Sequence, residues 1–544
     1  MKEKYFKLLF IFQLVIGILL RFWKISSFPP MNRDEAAIGY NTYSILRTGE
    51  DEWDEHLPFS FKSFGDYKMP GYIYLSTLAV GTFGLNEFAV RFWSAISGII
   101  AIILLYFLSV WVYQKLKLDK KIYRLSLVVS LFLLFNPWHF FFSRMGFEAN
   151  LALTLFLGGL TAFLYGLKKR WLLPISSLCF VLNLYTYSSG YIFLPFFIFS
   201  IFLLFFKDIV GKKDIYLFLT IGIFLIGGAH ATWSVWQVSL AKANVTIIND
   251  PGIIDSFKHL RADAFMRSPF WGRIWFNKPF YYLRIFLNNY LLSFSPRFLI
   301  ISAGNHPWHQ VPDMGYFYWL DLPLMLLGLL KLFKKINKIS LFLLFWLIVA
   351  PLPSAITIDA PHATRMLQIV PLLVILMGLG IVQIGSWLGN KKKAKINKIW
   401  LISLLVYVFL ITRFIYLYFV SYPQQLPEAF MPGIKQAIEY LETQDNNRLV
   451  IFQNPLQAPY IYLAFYMRYD PDRFHQEAVW KPPDLIGLTA VEKLGRYNFW
   501  VGIPEVEKKA YYVLQKEIEA PAGFRLKKEI KSKSDEVQWR VFEN

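Results

Sequence analysis

The chain has 544 residues, of which 56% are hydrophobic, 19% aromatic and only 17% charged, yet it carries 57 Lys+Arg against 37 Asp+Glu, a formal charge of +20. Soluble globular proteins are about one quarter charged, so this composition excludes a string of soluble domains and points to a membrane protein. A basic surplus of this size would indicate a nucleic-acid partner only if it were spread over a soluble surface, and its distribution along the chain excludes that.

A helix that crosses a bilayer core needs about 20 apolar residues. Such runs occur at residues 8–26, 90–112, 125–142, 149–167, 171–187, 190–206, 215–233, 315–331, 339–356, 366–389 and 399–420, which predicts about eleven transmembrane helices. Alternate connections, at residues 2–7, 114–124, 168–170, 207–214, 331–338 and 391–398, hold 23 Lys/Arg against Glu3, Asp119, Asp208 and Asp214. They account for nearly the whole surplus. The positive-inside rule makes them cytoplasmic, with the N-terminus inside and, after an odd number of spans, the C-terminus outside. The first span lacks an A-x-A cleavage pattern and continues through Arg21, Phe22, Trp23 and Lys24, so it reads as a retained signal anchor of an integral plasma-membrane protein. The single cysteine, Cys179, lies in an apolar span and excludes an intrachain disulfide.

Length outside the spans is concentrated in three outer segments. The first, 27–89, holds DEAAIGYNTYSILRTG, a helix at apolar spacing that stops at Gly49. It also holds GYIYLSTLAVGTFG, too short to span and read as an interfacial or re-entrant helix. The second, 234–314, mixes aromatics with Arg and Lys, as at a headgroup boundary. The third, 421–544, changes composition abruptly and is long enough for one small domain. There PGIKQAIEYLETQ reads as an amphipathic helix, RLVIFQN, YNFWVGI and VQWRVFE as strands, and EVEKKAYYVLQKEI as a helix, giving an extracytoplasmic α/β domain.

Among candidate chemical groups, Arg33-Asp34-Glu35 opens the first loop helix. Acids there also complement the helix dipole, and a cap alone would explain Asp34. The same loop carries Asp66 and Lys68 in SFGDYKMPGYIY, and a lysine with carboxylates beside lipid suits a site handling a phosphate and a proton. Glu148 in SRMGFEAN adds a carboxylate at the same membrane face, to orient a base or share a divalent cation. Arg91 opens the second span, and Asp359, His362 and Arg365 in DAPHATRM open the tenth. Arginines there either anchor helix ends or clamp a lipid-linked phosphate. His306 and His309 in NHPWHQ resemble a metal pair only in spacing. The sequence lacks P-loop, GxGxxG, GxSxG, HExxH and cysteine-based metal motifs, so nucleotide-driven transport and serine or zinc peptidase chemistry find no support.

Taken together, the outward DE pair, the D-x-K-x-P element of FGDYKMPGYIYL, the arginine of FAVRFWSA, the acid after the third span and the late H-x-x-R resemble the GT-C membrane glycosyltransferases. The nearest likeness is to bacterial members of glycosyltransferase family 39, relatives of protein O-mannosyltransferases and lipid A aminoarabinose transferases. It covers about residues 1–420 as a transmembrane catalytic module, while 421–544 resembles the relatives' C-terminal domains in placement only. The resemblance implies transfer of a sugar from a polyprenyl-phosphate carrier to an acceptor hydroxyl of protein, lipid or glycan at the outer face, with inversion. It further implies that Asp34 is the base or acceptor-orienting group with Glu35 beside it, Glu148 the second acid, and Lys68, Arg91 and Arg365 phosphate ligands; Asp66 and His362 are further candidate substrate- or phosphate-binding residues. Aminoarabinose transferases place a metal-site glutamate directly before that lysine. Here the position is Tyr67, so a divalent cation remains an open candidate cofactor. The alternative reading, a transporter or flippase of lipid-linked glycans, would more often show broken helices at mid-membrane and repeated halves.

Overall fold

The computed structural model describes residues 3–64, 66–118, 122–236, 246–268, 270, 274, 276–304, 306–388, 393–445, 447–454, 458–483, 489–501, 509–532 and 535–544. From the N-terminus it runs through α1 (Glu3–Phe22), α2 (Arg33–Thr48), a hairpin of β1 (Phe61–Ser63) and β2 (Asp66–Lys68), α3 (Pro70–Phe83) and α4 (Glu87–Lys115). There follow α5 (Ile122–Phe135), α6 (Pro137–Phe142), α7 (Glu148–Gly166), α8 (Leu172–Thr186), α9 (Gly190–Val210) and α10 (Ile215–Trp236). Further helices cover Pro251–Arg267, Lys278–Leu292, Asp321–Lys334, Lys338–Val349, Val370–Leu388 and Lys393–Tyr416. The chain divides into two compact units. The first comprises Met1–Phe22, Ser94–Ser143 and Glu148–Ile415; the second comprises Trp23–Trp93, Arg144–Phe147 and Tyr416–Asn544.

The first unit is a helical membrane body. Among the described residues eight helices are long and apolar enough to cross a bilayer: α1, α4, α7, α9, α10, Lys338–Ala355, Leu367–Leu388 and Asn397–Gln424. The remaining three expected spans coincide with α5 and α8, apolar but shorter, and with the helix Asp321–Lys334. Large apolar side chains such as Phe12, Ile226 and Phe409 stay exposed on α1, α10 and the last span, which only a lipid solvent tolerates in such number. The protein is an integral membrane protein.

Within this body small and polar residues bring helices together, as expected where lipid removes the hydrophobic drive. Ser176 Oγ donates to the Gly159 carbonyl at 2.7 Å and Asn183 Nδ2 to the Ala152 carbonyl at 2.6 Å, joining α8 to α7. The helices Asp321–Lys334 and Val370–Leu388 cross backbone to backbone. A Cβ on Gly328 would stand 1.9 Å from the Leu376 carbonyl oxygen, and one on Gly380 2.2 Å from that of Leu324.

The second unit is built on a seven-stranded mixed sheet of order β4-β5-β6-β3-β7-β9-β8, with β3 at Leu449–Gln453, β4 at Ala478–Trp480, β5 at Val491–Leu494, β6 at Tyr497–Trp500, β7 at Ala510–Gln515, β8 at Arg525–Lys531 and β9 at Val537–Glu543. Strand β3 is parallel to both β6 and β7, and every other pairing is antiparallel. The expected amphipathic helix is present at Ile434–Glu442 and packs its apolar face inward. The helix expected over 505–518 is instead β7, with residues 505–508 outside the described ones. AYYVLQ lies between β3 and β9 and is buried on both faces, so ladder pairing of aromatic and branched residues outweighs the helical character of the flanking lysines and glutamates.

The long connection between α1 and α4 belongs to the same unit. Helix α2 presses against the helix Pro459–Tyr466 so closely that a Cβ on Gly39 would stand 2.4 Å from the Phe465 ring. Trp53 stacks on Trp480 with centroids 3.7 Å apart, and the Tyr40 hydroxyl donates to the Tyr469 carbonyl at 3.2 Å.

Candidate active site

The start of α2 sets the site's geometry. Asn32 caps the helix, its side chain accepting from the Glu35 amide at 2.9 Å while the Glu35 carboxylate accepts from the Asn32 amide at 3.3 Å. This reciprocal capping box satisfies the helix's first donors, so the cap is Asn32 and Asp34 is left for another task. Lys68 Nζ donates to Asp34 Oδ1 at 2.9 Å, with side-chain exposures of 13% and 28% respectively. The pair is sheltered yet reachable. Lys68 ends β2, and Pro70 immediately opens α3, so the lysine is fixed between a hairpin and a helix start. In the same hairpin the Asp66 backbone pairs with Ser63. Arg33 lies over the Phe64 ring, 5.4 Å from its centroid.

Behind that pair lies a fully buried one. Arg91 donates from Nε to Glu35 Oε1 at 2.6 Å and from Nη2 to Oε2 at 2.7 Å. It also donates to the carbonyls of Ile25, Pro29 and Pro30, and Glu35 Oε1 accepts from the Gly146 amide at 2.7 Å. These contacts join α2, the start of α4 and the Ile25–Pro30 segment around one guanidinium. Arg144 makes a similar clamp, donating to the Trp23 and Phe28 carbonyls and to the Tyr418 hydroxyl. A cavity of about 460 Å³ in the same unit is lined by Pro29, Pro30, Glu87, Lys435 and Tyr466, among others.

Glu52 escaped sequence reasoning. It lies in an acidic run, Glu50 to Glu55, that reads as solvated, and the one break in that run is Trp53. Yet Glu52 is buried, its amide donating to Asn41 Oδ1 at 3.0 Å and its carboxyl accepting from the Tyr460 hydroxyl at 3.5 Å. Burial, with the charge of Asp51 beside it, pushes its pKa up to about 8, against the opposing pull of Lys68.

In the first unit the structure gathers a second group. Arg365 pairs with Asp359, and His362 Nε2 lies 3.2 Å from the other Asp359 oxygen. Thr364 Oγ1 sits 2.8 Å from His362 Nδ1 and accepts from the Tyr187 hydroxyl at 2.7 Å. Glu148, buried at the first position of α7, lies with Asp359 and Arg365 within electrostatic reach of Tyr187. Burial would raise Asp359, but contact with His362 and Arg365 outweighs it and holds the carboxylate well below its usual range. Burial and then the Arg365 charge bring His362 down to about 4.

The His306 and His309 rings stack with centroids 3.9 Å apart, and His362 closes on both, so that one ligand nitrogen from each of the three lies within 4.8 Å of the others. Burial also holds His309 well below its usual range, as do the neighbouring His306 and His362. Neutral imidazoles are the form that binds a metal, and burial favours that form in His309 and His362, so the three gathered nitrogens make a candidate cation site that the spacing of His306 and His309 alone did not show.

No protein-family model matches the sequence, and a comparison with curated proteins finds no match. Solved structures do match. ArnT from Cupriavidus metallidurans in the apo state aligns over 98% of this chain and 97% of its own, at TM-score 0.54 and 12% identity. The chain shares the ArnT fold. The same ArnT bound to undecaprenyl phosphate aligns with equal coverage and identity at TM-score 0.52. An apo oligosaccharyltransferase from Archaeoglobus fulgidus aligns at TM-score 0.49 and 12% identity over 86% of this chain, which spans 64% of that protein's length. At 12% identity the likeness to ArnT speaks for the fold alone, helical spans followed by a C-terminal β-sheet domain.

Proposed function

We propose that this protein is a lipid-carrier-dependent glycosyltransferase that moves a hexosyl or pentosyl group from a polyprenyl phosphate to an acceptor hydroxyl at the outer face of the membrane. The observation that carries this reading is the half-sheltered Asp34–Lys68 pair on a fold that, in ArnT, has been solved with undecaprenyl phosphate. In the reaction the bond between the anomeric carbon and the phosphate oxygen breaks, and a bond from that carbon to the acceptor oxygen forms on the opposite face. Negative charge grows on the departing polyprenyl phosphate and must be met by a fixed cation, the role of Lys68. The acceptor's proton goes to a carboxylate, the role of Asp34. As the two groups are paired before substrate arrives, a phosphate that draws Lys68 toward itself would free the Asp34 carboxylate to act as base. Donor binding would thereby switch on the acceptor side.

Glu35 and Arg91 then act as positioning residues, since each Arg91 nitrogen already has protein acceptors. They hold Pro29 and Pro30 at the wall of the 460 Å³ cavity, which offers room for an acceptor. In this reading Glu148 and Arg365 supply a second set of charged groups in the first unit, with the neutral His362 beside Arg365 as a further substrate-binding candidate, and Asp66 supports the hairpin that presents Lys68. A divalent cation, where the enzyme uses one, would be held by His306, His309 and His362 in the first unit. Residues 1–420 form the catalytic module and 421–544 the outer domain, with the N-terminus cytoplasmic.

The test is purified protein in lipid nanodiscs offered a panel of radiolabelled polyprenyl-phosphate sugars, with and without chelator. One donor should turn over, and Asp34→Asn should cut that turnover by about 10²–10⁴-fold while folding and expression persist. Full activity in Asp34→Asn removes the base assignment, and failure of every donor removes the transferase reading.

A further inference from the structure

Three potential ligand atoms, none of them in the groups described above, converge within the second unit. His475, on the short helix Pro471–Glu477, donates from Nε2 to the Asp51 carbonyl oxygen at 2.7 Å. A carbonyl oxygen only accepts, so Nε2 carries the proton and, in the neutral ring, Nδ1 presents a lone pair. That nitrogen faces Asp54 Oδ1 at 3.7 Å and Glu50 Oε2 at 3.8 Å, and all three atoms lie within 4.8 Å of one another. Neither separation is a hydrogen bond. A lone pair and two carboxylates that face each other so closely repel unless a positive charge lies between them.

We propose that Glu50, Asp54 and His475 form a divalent metal site, with Zn²⁺ as the ion that suits it. Tetrahedral zinc holds nitrogen and oxygen ligands at about 2.0–2.2 Å, which places neighbouring ligand atoms roughly 3.3–3.6 Å apart. The distances to Nδ1 need close by only a few tenths of an ångström. The bond from the far ring nitrogen to a backbone carbonyl is the outer contact that fixes the tautomer of a ligating histidine. Two carboxylates and one imidazole are a borderline-hard donor set, and water completes the fourth position.

The backbone around the ligands is tied down independently of any ion. Glu50 pairs with His56 across an isolated bridge, Asp51 Oδ1 accepts from the amides of Trp53 and Glu55 at 2.8 and 3.1 Å, and Asp54 takes a left-handed conformation at φ 65°. The metal would fasten the first outer loop to the C-terminal part of the same compact unit. This assignment does not depend on the transferase reading.

The full-length protein in nanodiscs is stripped with chelator and dialysed against micromolar free Zn²⁺. Bound zinc is then measured by mass spectrometry in the wild type, His475→Ala and the double variant Glu50→Gln/Asp54→Asn. The variants should each hold one zinc fewer per chain, or bind it at least tenfold more weakly, and should lose the zinc-induced rise in melting temperature seen in the wild type. The His306, His309 and His362 group is common to all three proteins and cancels. Asp54 is 70% exposed, so the double variant should fold even where His475→Ala does not, and a metal-free melting temperature equal to that of the wild type verifies this. Equal zinc in the wild type and the double variant overturns the site.

Discussion

Glu35 and Arg91 meet through two near-parallel hydrogen bonds of 2.6 and 2.7 Å, both side chains fully out of contact with solvent. The two charges cancel, but each depends on the other, because a buried charge that loses its partner keeps its desolvation penalty. Glu35→Gln or Arg91→Met alone should therefore destabilise the protein by about 3–5 kcal/mol. The double change Glu35→Leu/Arg91→Met should recover part of that loss, while the freed Pro29 and Pro30 carbonyls still cost some stability. Thermal unfolding of the single and double variants in detergent checks this, and a strictly additive double variant would contradict the coupling.

Asp34 and Lys68 should behave differently, since both remain reachable. Asp34→Asn should lower kcat by about 10²–10⁴-fold, the ordinary contribution of a general base, with melting temperature little changed. Lys68→Gln should weaken the donor side, raising KM for the lipid-linked sugar as well as lowering kcat. Steady-state kinetics with donor and acceptor varied separately distinguishes the two roles. Loss of stability without loss of rate in either variant would make the pair structural.

The membrane body was legible in the sequence because twenty-residue apolar runs and loop lysines are local signals, and each expected run overlaps a helix, although 125–142 is broken at Asn136 and 315–331 is helical only from Asp321. The end of α2 was legible too, from Gly49, which closes the helix in the left-handed conformation, but its start was not: the sequence offered Asp34 as the cap, and the capping box of Asn32 with Glu35 takes that role. What local pattern did not reveal was tertiary pairing. Only the fold brings His362 to His306 and His309, buries Glu52 out of an acidic run, or makes a strand of AYYVLQ by setting it between two others. The roles of Glu35 and Arg91 depend likewise on contacts 56 residues apart in sequence.

The charge distribution makes a topological prediction. Cys179 is the only cysteine, so a Cys179→Ser background gives a clean reporter. In intact cells a membrane-impermeant maleimide should label Glu529→Cys on exposed β8 and leave Lys212→Cys, exposed between α9 and α10, unlabelled until the cells are opened. The reverse pattern would invert the proposed orientation and place the Asp34–Lys68 pair on the cytoplasmic side.

Glu52 provides a pH signature. Its folded pKa is about 8, well above the usual value of about 4.3 for a glutamate in an unfolded chain. Between those two values the folded protein holds a proton that the unfolded chain has released. Stability must therefore fall as pH rises across that window, most of the loss being complete once pH exceeds the folded pKa. Glu52→Gln keeps an acceptor for the Tyr460 hydroxyl and removes the titration. In chelator-treated protein the melting temperature of the variant should match the wild type near pH 5 and exceed it increasingly from pH 6 to pH 9. Parallel pH profiles for the two proteins would mean that Glu52 ionises at an ordinary pKa despite its burial.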